Sequence, residues 1–331
     1  MKKDRKNILK KCVSVFVFIL LTFAIYGYMI IVFMPKSEKD YKGLSYYSYA
    51  DLKTEAKDSI DVMVFGNSDA YSGFSPMEFY RQTGATSFVL AGPKESICNV
   101  ESNIRSAIKY QSPKLIIIDV DLFFYKNKRD TGTTLLKQLP YTAPFRLHSR
   151  WKNLKFKDFV TLPTVKESKL KGFYFRTNTA KFKKPNGYME KVNASPAKIE
   201  KSVIKNFENI LNLCKDKGIY LELIELPSPS SWNNAKSNAI TKLAKEYEVP
   251  YLDLNLPQEG YDLDYTTSFF DKGNHLNVTG ATYTTIYLSK YLERYKLPNH
   301  KDEQSYKRWN ELLDEYDEML NEYYEMLKNK A

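Results

Sequence analysis

Residues 61–79 read DVMVFGNSDAYSGFSPMEF, and the change of character along this stretch decides the fold. Residues 61–66 are a short, nearly uninterrupted apolar run that ends on Gly66, the pattern of a strand covered on both faces. Asn67-Ser68-Asp69 then reads as a turn. Ser75-Pro76 opens a helix, because proline fits the first helical position and Glu78 stands three residues after Ser75, the spacing of a capping box. Strand, tight turn and helix in succession form the first unit of an α/β fold.

The same alternation continues outward. Strands are expected at ATSFVLAG (85–92), PKLIIIDV (113–120), IYLELIEL (219–226) and PYLDLN (250–255), with helices near 96–110, 196–217, 234–247 and 280–295. Strands alternating with helices imply βαβ units and a parallel sheet of about five strands within 61–298, with helices on both faces. The acidic segment 299–331 carries Trp309, Leu312, Tyr316, Met319, Tyr323 and Met326 at spacings of three and four. This predicts an amphipathic helix packed back onto its own domain; the repeat is too short to argue for a coiled-coil partner.

Ahead of this domain, residues 13–34 run for 22 positions without a charge, slightly more than a helix needs to cross the hydrocarbon core. Lys2, Lys3, Arg5, Lys6, Lys10 and Lys11 precede it against Asp4 alone. The positive-inside bias therefore predicts a cytoplasmic segment 1–12, a transmembrane helix at 13–34, a linker at 35–60, and a domain outside the cell membrane. A cleaved signal peptide is the alternative, and it leaves the domain extracytoplasmic as well; the apolar run is longer than an ordinary signal core and no small-residue cleavage site follows it. Cys12 precedes the apolar run, which does not fit a lipoprotein, and Cys98 and Cys214 form no disulfide framework.

The chain carries 50 Lys and Arg against 39 Asp and Glu, a formal net charge of +11. Residues 126–191 alone hold 17 basic against 4 acidic residues, a balance of +13, so the excess is confined to an insertion between the third and fourth strands. Basic and aromatic residues interleave there, with Arg146, His148 and Arg150 in one cluster. Three roles stay open: a solvated loop, a patch on anionic lipid headgroups, or a surface that attracts an anionic polymer. A domain facing outward excludes nucleic acid as the natural partner.

Ser68 stands at the carboxyl end of the first strand, where open α/β sheets bind ligands. A serine hydroxyl becomes a nucleophile when a base removes its proton, and an imidazole oriented by a carboxylate can do so. Of only three histidines, His275 lies just before the last helix of the domain, in FDKGNHLNVTGA (270–281). Asp271 is its nearest acid, with Asp264 and Asp262 as further candidates. Neither paired-cysteine or histidine-rich metal spacing nor a glycine-rich nucleotide fingerprint occurs, so no cofactor is expected.

In these blocks the chain resembles the SGNH/GDSL hydrolase superfamily. Gly66-Asn67-Ser68 matches its first block and His275-Leu276-Asn277 its last. The resemblance spans about 61–295 and implies a flavodoxin-like, three-layer α/β/α fold, with Ser68 as nucleophile, His275 as base and Asp271 as its orienting acid. It also implies an oxyanion hole built from the N–H groups of Ser68 and Gly92. Asn67, Asp69, Asn277, Arg146, His148 and Arg150 are further candidates for substrate contact.

Two positions depart from the pattern. Asp271 precedes His275 by four residues rather than three, so either the loop bulges or another acid orients the ring. The third block's asparagine is replaced by Asp119-Val120-Asp121, and a carboxylate cannot donate to an oxyanion. Either the hole has two donors, or these acids pair elsewhere, for example with the basic insertion.

The single N-terminal membrane helix and the long insertion look like the branch that holds DltD of teichoic-acid D-alanylation and polysaccharide O-acetylation proteins. That likeness implies surface acyl transfer beside a membrane-bound O-acyltransferase partner, with an anionic cell-envelope polymer as acceptor. A catalytically weak scaffold that binds such a polymer or partner is the alternative.

Overall fold

The computed structural model describes residues 2–34, 36, 52–125, 144, 148–163 and 167–329. The chain divides into two units, Met1–Lys42 with Asp130–Val165, and Gly43–Arg129 with Lys166–Ala331. In chain order the principal elements are α1 (Lys2–Phe33), β1 (Val62–Gly66), α2 (Ser68–Gly73), α3 (Pro76–Thr83), β2 (Ser87–Ala91), α4 (Ile97–Ala107) and β3 (Leu115–Asp119). There follow α5 (Phe156–Val160), α6 (Lys201–Lys217), β4 (Tyr220–Glu225), α7 (Asn234–Tyr247), β5 (Tyr251–Asp253), α8 (Val278–Tyr291) and α9 (Lys307–Lys328).

The larger unit is built on a parallel five-stranded sheet in the order β2-β1-β3-β4-β5, the flavodoxin-like order. Alternate side chains of each strand enter different cores. Met63, Phe65, Ile116 and Ile118 join α4, α6 and α7 on one face, while Val62, Val64, Leu115 and Ile117 join α2 and α8 on the other. Burial on both faces is why these strands read as unbroken apolar runs. The strands are shorter than the runs, most of all at 250–255, where Pro250 has no N–H to donate and Asn255 instead sends its side-chain amide to the Leu226 carbonyl at 3.0 Å.

Half of the capping box at α3 forms. Ser75 Oγ accepts from the Glu78 N–H at 3.3 Å, but the Glu78 carboxylate turns to Arg81 and Gln82, and the Ser75 N–H donates to Thr285 Oγ1. Helix α9 does pack back onto the sheet unit, through Tyr80 against Trp309 and a hydrogen bond from Ser75 Oγ to Tyr316 Oη at 3.0 Å. Its buried positions are Trp309, Leu312, Tyr316, Leu320 and Tyr323, so Leu320 takes the place expected for Met319. A straight helix drifts from a seven-residue repeat, and the step of four after Tyr316 follows that drift. His300, to which the sequence assigns nothing, is buried between Asp61 and Glu303 and stacks on Tyr306, tying the C-terminal region to the entry of β1.

Residues 167–180, the later part of the basic insertion, form a strap over this unit. The Lys171 carbonyl accepts from the Val89 N–H at 2.9 Å along the free edge of β2. Gly172 follows with φ +91°, where a Cβ would lie 2.1 Å from the Val89 carbonyl oxygen. Farther along, Tyr174 N donates to the Tyr71 carbonyl, Val278 N to the Arg176 carbonyl, and Ala180 N to the Phe269 carbonyl. Lys171 Nζ meets Glu55 at 2.6 Å, with both side chains buried, and Leu52 and Ile60 enter the same core.

The smaller unit contains α1, whose residues 7–33 are long and apolar enough to cross a membrane and almost wholly exposed, together with the 3₁₀ turn His148–Asn153 and α5.

Candidate active site

The sheet order places a switch point between β1 and β3, because the chain leaves β1 toward β2 on one side and returns to β3 on the other. Ligands of open α/β sheets bind in the crevice at such a point. Ser68 emerges there as the first residue of α2, where its N–H has no partner within the helix. Asn67 caps that short helix, its side-chain oxygen accepting from the Asp69 N–H at 2.8 Å, and sends its amide to Asp121 at 3.3 Å. A cap of this kind explains why a turn-like sequence continues as a helix. Gly66 permits it: a Cβ would meet the side chains of Ala70 and Asp119 at 2.6 and 2.8 Å.

His275 reaches the same rim from a tight loop before α8. Asp271 Oδ2 lies 2.6 Å from His275 Nδ1, while its Oδ1 accepts from the N–H groups of His275 and Asn274 at 2.8 and 2.9 Å. The four-residue spacing is absorbed by Gly273, which turns at φ +79° with its N–H on the Asp271 carbonyl. A Cβ on Gly273 would strike the Phe182 ring at 2.5 Å. Burial pushes the Asp271 carboxyl up, yet the hydrogen bonds from His275 and the two backbone groups outweigh it, and its pKa falls below the usual range. An ionised carboxylate at 2.6 Å assigns the proton to Nδ1 and makes Nε2 the accepting nitrogen, the tautomer a general base requires, with the Asn274 side-chain amide 3.3 Å from it. Asp264 is committed to Thr266 and Thr267 in its own exposed turn.

Beneath Ser68 lies a floor of acids at the carboxyl ends of the strands. Asp119, Asp121, Glu225 and Asp253 are buried with Asp69. Asp121 is paired, with Lys236 Nζ at 2.8 Å; this lysine belongs to α7, not to the basic insertion from which a partner was expected. Asp119 Oδ1 accepts a long 3.4 Å bond from the Leu226 N–H. Asp69 Oδ1, Asp119 Oδ2 and Glu225 Oε2 are buried without hydrogen-bond partners. Burial, and then the charges of neighbouring acids, push all three carboxyls well above their ordinary range, toward the neutral form.

Two residues that the sequence does not single out stand near Ser68. Tyr71 lies close to both Ser68 and Arg176: burial pushes its phenol up, and the two neighbours oppose that rise, with the Arg176 guanidinium carbon 5.8 Å from its ring centre. Arg176, on the strap, donates from Nε to Ser72 Oγ at 3.1 Å, and its guanidinium carbon lies 4.5 and 4.4 Å from the ring centres of Tyr174 and Phe270. Phe270 precedes Asp271 in the histidine loop, so Arg176 bridges the two halves of the site. Among the described residues it has no carboxylate partner. The interleaving of aromatics and cations around KGFYFR was the available signal; sequence alone does not say which cation reaches α2.

The remaining expectations fall in different places. The Gly92 N–H donates to the Gly66 carbonyl over 3.4 Å rather than facing Ser68. Asn277 is fully engaged, capping α8 through Gly280 and donating to Thr179 Oγ1 and the Thr267 carbonyl, so its amide is spoken for. Arg150 belongs to the smaller unit, held by Asp158 and the Phe33 carbonyl. Arg146 lies outside the described residues, and for His148 only the backbone is described. Among the described residues no cluster of metal ligands occurs.

No protein-family description matches this chain, and no curated protein does. Among solved structures it is similar to a protein described as an acylhydrolase from Bacteroides fragilis, at 11% identity and a TM-score of 0.38 over 76% of this chain and 96% of that one. It is also similar to a GDSL-like lipase from Bacteroides thetaiotaomicron, at 11% identity and a TM-score of 0.37 over 75% and 98% of the two chains.

Proposed function

We propose that this chain is a membrane-anchored, extracytoplasmic serine acyltransferase or esterase that acts on a cell-envelope polymer through an acyl-Ser68 intermediate. The observation that carries the reading is the 2.6 Å contact of Asp271 with His275 Nδ1, at the rim where Ser68 leaves β1. His275 Nε2 takes the Ser68 proton as Oγ attacks the acyl carbonyl, and returns it to the departing alcohol as the ester bond breaks. A second hydroxyl, from water or from the acceptor polymer, then gives its proton to Nε2 as it attacks acyl-Ser68, and Nε2 returns that proton to Ser68 Oγ as the acyl–serine bond breaks. The Ser68 N–H is available to the oxyanion of both steps, and Gly92 joins it after a small change of its long bond to Gly66.

Arg176 supports an anionic acceptor of the teichoic-acid kind, since a cation without a carboxylate partner attracts phosphate or carboxylate near the nucleophile. Helix α1 supplies the anchor, and the resemblance to the DltD branch supports a membrane-bound O-acyltransferase as the acyl donor's source. One observation favours the scaffold alternative: Asp119 stands where a donor amide is expected. A fluorophosphonate probe on the full chain separates the two. Labelling that is lost in Ser68→Ala and His275→Ala supports the enzyme; folded protein that never labels refutes it.

A further inference from the structure

In the smaller unit the usual placement of side chains is reversed. Asp158 is 1% exposed and is held by Arg150 at 3.3 Å and by the Lys155 N–H at 2.8 Å. The large apolar residues of the same segment face outward: Trp151 is 63% exposed, Phe156 81%, Val160 65% and Leu162 71%. Between them Lys152 and Lys155 are exposed as well, with Lys152 Nζ 5.7 Å from the Trp151 ring centre. So many exposed large apolar side chains in one short segment are uncommon on a protein bathed only in water.

This face is fixed to the outer end of α1. Arg150 Nη1 donates to the Phe33 carbonyl at 2.6 Å, satisfying one of the orphan carbonyls at the helix end. Tyr28 Oη donates to the Phe159 carbonyl at 2.9 Å, and α5 packs along the last turns of α1. From Tyr28 to Phe33 the helix rises about 7.5 Å at 1.5 Å per residue. Helix α5 therefore lies level with about the last 7.5 Å of the helix. That is the depth at which interfacial helices sit, roughly 5–10 Å into the boundary of headgroups and acyl chains. Aromatic residues, tryptophan above all, are favoured at this level, and lysines reach outward to phosphates.

We infer that residues 151–162 form an interfacial wedge, which places Trp151, Phe156, Val160 and Leu162 in the outer leaflet and holds anionic phospholipid headgroups with Lys152 and Lys155. The wedge rests on the reading of α1 as a membrane anchor. It gives the two parts of the basic insertion separate roles. The part on α1 contacts lipid, while the strap at 167–180 serves the site.

Tryptophan fluorescence tests this directly. Trp232 and Trp309 are 3% and 4% exposed, so Trp151 is the tryptophan open to quenchers. The full chain is reconstituted in vesicles of phosphatidylcholine and phosphatidylglycerol, with and without bromine on the acyl chains. The expected result is quenching by brominated lipid that disappears in Trp151→Phe, and weaker quenching in Lys152→Gln/Lys155→Gln as phosphatidylglycerol is increased. Protein that resists alkaline extraction from the vesicles, but whose Trp151 is quenched by aqueous acrylamide and not by lipid, overturns the wedge and leaves the anchor standing. Such a face would belong to a protein partner. Protein released by the extraction overturns both.

Discussion

Asp69 Oδ1 lies 4.0 Å from His275 Nε2, so this imidazole has a carboxyl group at each nitrogen: ionised Asp271 at Nδ1 and buried Asp69 at Nε2. The two acids are driven in opposite directions, Asp271 down by hydrogen bonds and Asp69 up by burial and the charge of Asp121. In the proposed mechanism a neutral Asp69 adds no charge beside Nε2, whereas an ionised one would compete with Nε2 for the Ser68 proton. Asp69→Asn, which mimics the neutral form, is expected to keep the neutral-pH acylation rate within about threefold and to extend activity to higher pH than wild type. A tenfold loss at neutral pH would show that the charged carboxylate is needed.

The acid floor makes a stability prediction of definite sign. Asp119 and Glu225 have raised pKa values in the folded state, so folding binds protons there that the unfolded chain releases near pH 4. Their contribution to stability is complete below that pH and declines as the pH rises toward their folded values. Asp119→Asn removes one of these groups and is expected to raise the melting temperature at pH 8 by a few degrees, equivalent to about 1–3 kcal/mol. Near pH 4 the two proteins should melt together; a variant equally altered at both pH values would count against the electrostatic account.

Replacing Asp271 by Asn preserves shape but removes the charge that selects the Nδ1–H tautomer. Expected is a loss of about 10³- to 10⁴-fold in acylation by an activated ester, with little change in KM. Should the rate fall less than tenfold, another acid must orient the ring.

Two glycines separate strain from collision in the histidine loop. Gly260 and Gly273 have similar dihedrals, φ +73° and +79°, but an added Cβ finds open space at Gly260 and the Phe182 ring at Gly273. Gly260→Ala should cost about 1–2 kcal/mol from backbone strain alone. Gly273→Ala should cost more in chemical denaturation and also depress kcat, because it moves His275. Equal costs would remove the steric role given to Phe182.

Arg176→Lys keeps the charge but loses the planar group that lies against Tyr174 and Phe270. With a neutral ester and a phosphate-bearing ester compared side by side, Arg176→Gln is expected to raise KM for the charged substrate about tenfold, in keeping with one lost charge-assisted bond, and Arg176→Lys to restore only part. An equal effect on both substrates would identify a residue that positions the loop instead.

Much of the sheet unit was legible because both faces of each strand are covered, which makes strand and apolar run nearly the same thing. Ser68 and His275 were legible because each follows a strand or precedes a helix in a short, distinctive block. Other parts of the site depend on contacts that periodicity does not encode. The extra residue between Asp271 and His275 is explained only by the Gly273 turn, the partner of Asp121 only by the approach of α7, and the place of Arg176 only by the course of the strap. Nor does periodicity encode the helix-capping roles of Asn67 and Asn277, whose side chains are buried.

The strap also sets an order of events. It fastens to Tyr71 and Val89 on one side and to Val278 on the other, with 104 positions from Ser72 to Arg176. Bringing His275 to Ser68 in two steps of about a hundred residues rather than one of twice that length changes the closure entropy by only about 0.6 kcal/mol. The difference lies in time. As the chain emerges N-terminal end first, residues up to 180 can dock on β2 and α2 while the histidine loop has yet to be synthesised. The nascent protein therefore holds the rim of β1 and the strap over it first, and the loop that carries His275 joins them only when nearly the whole chain has been made.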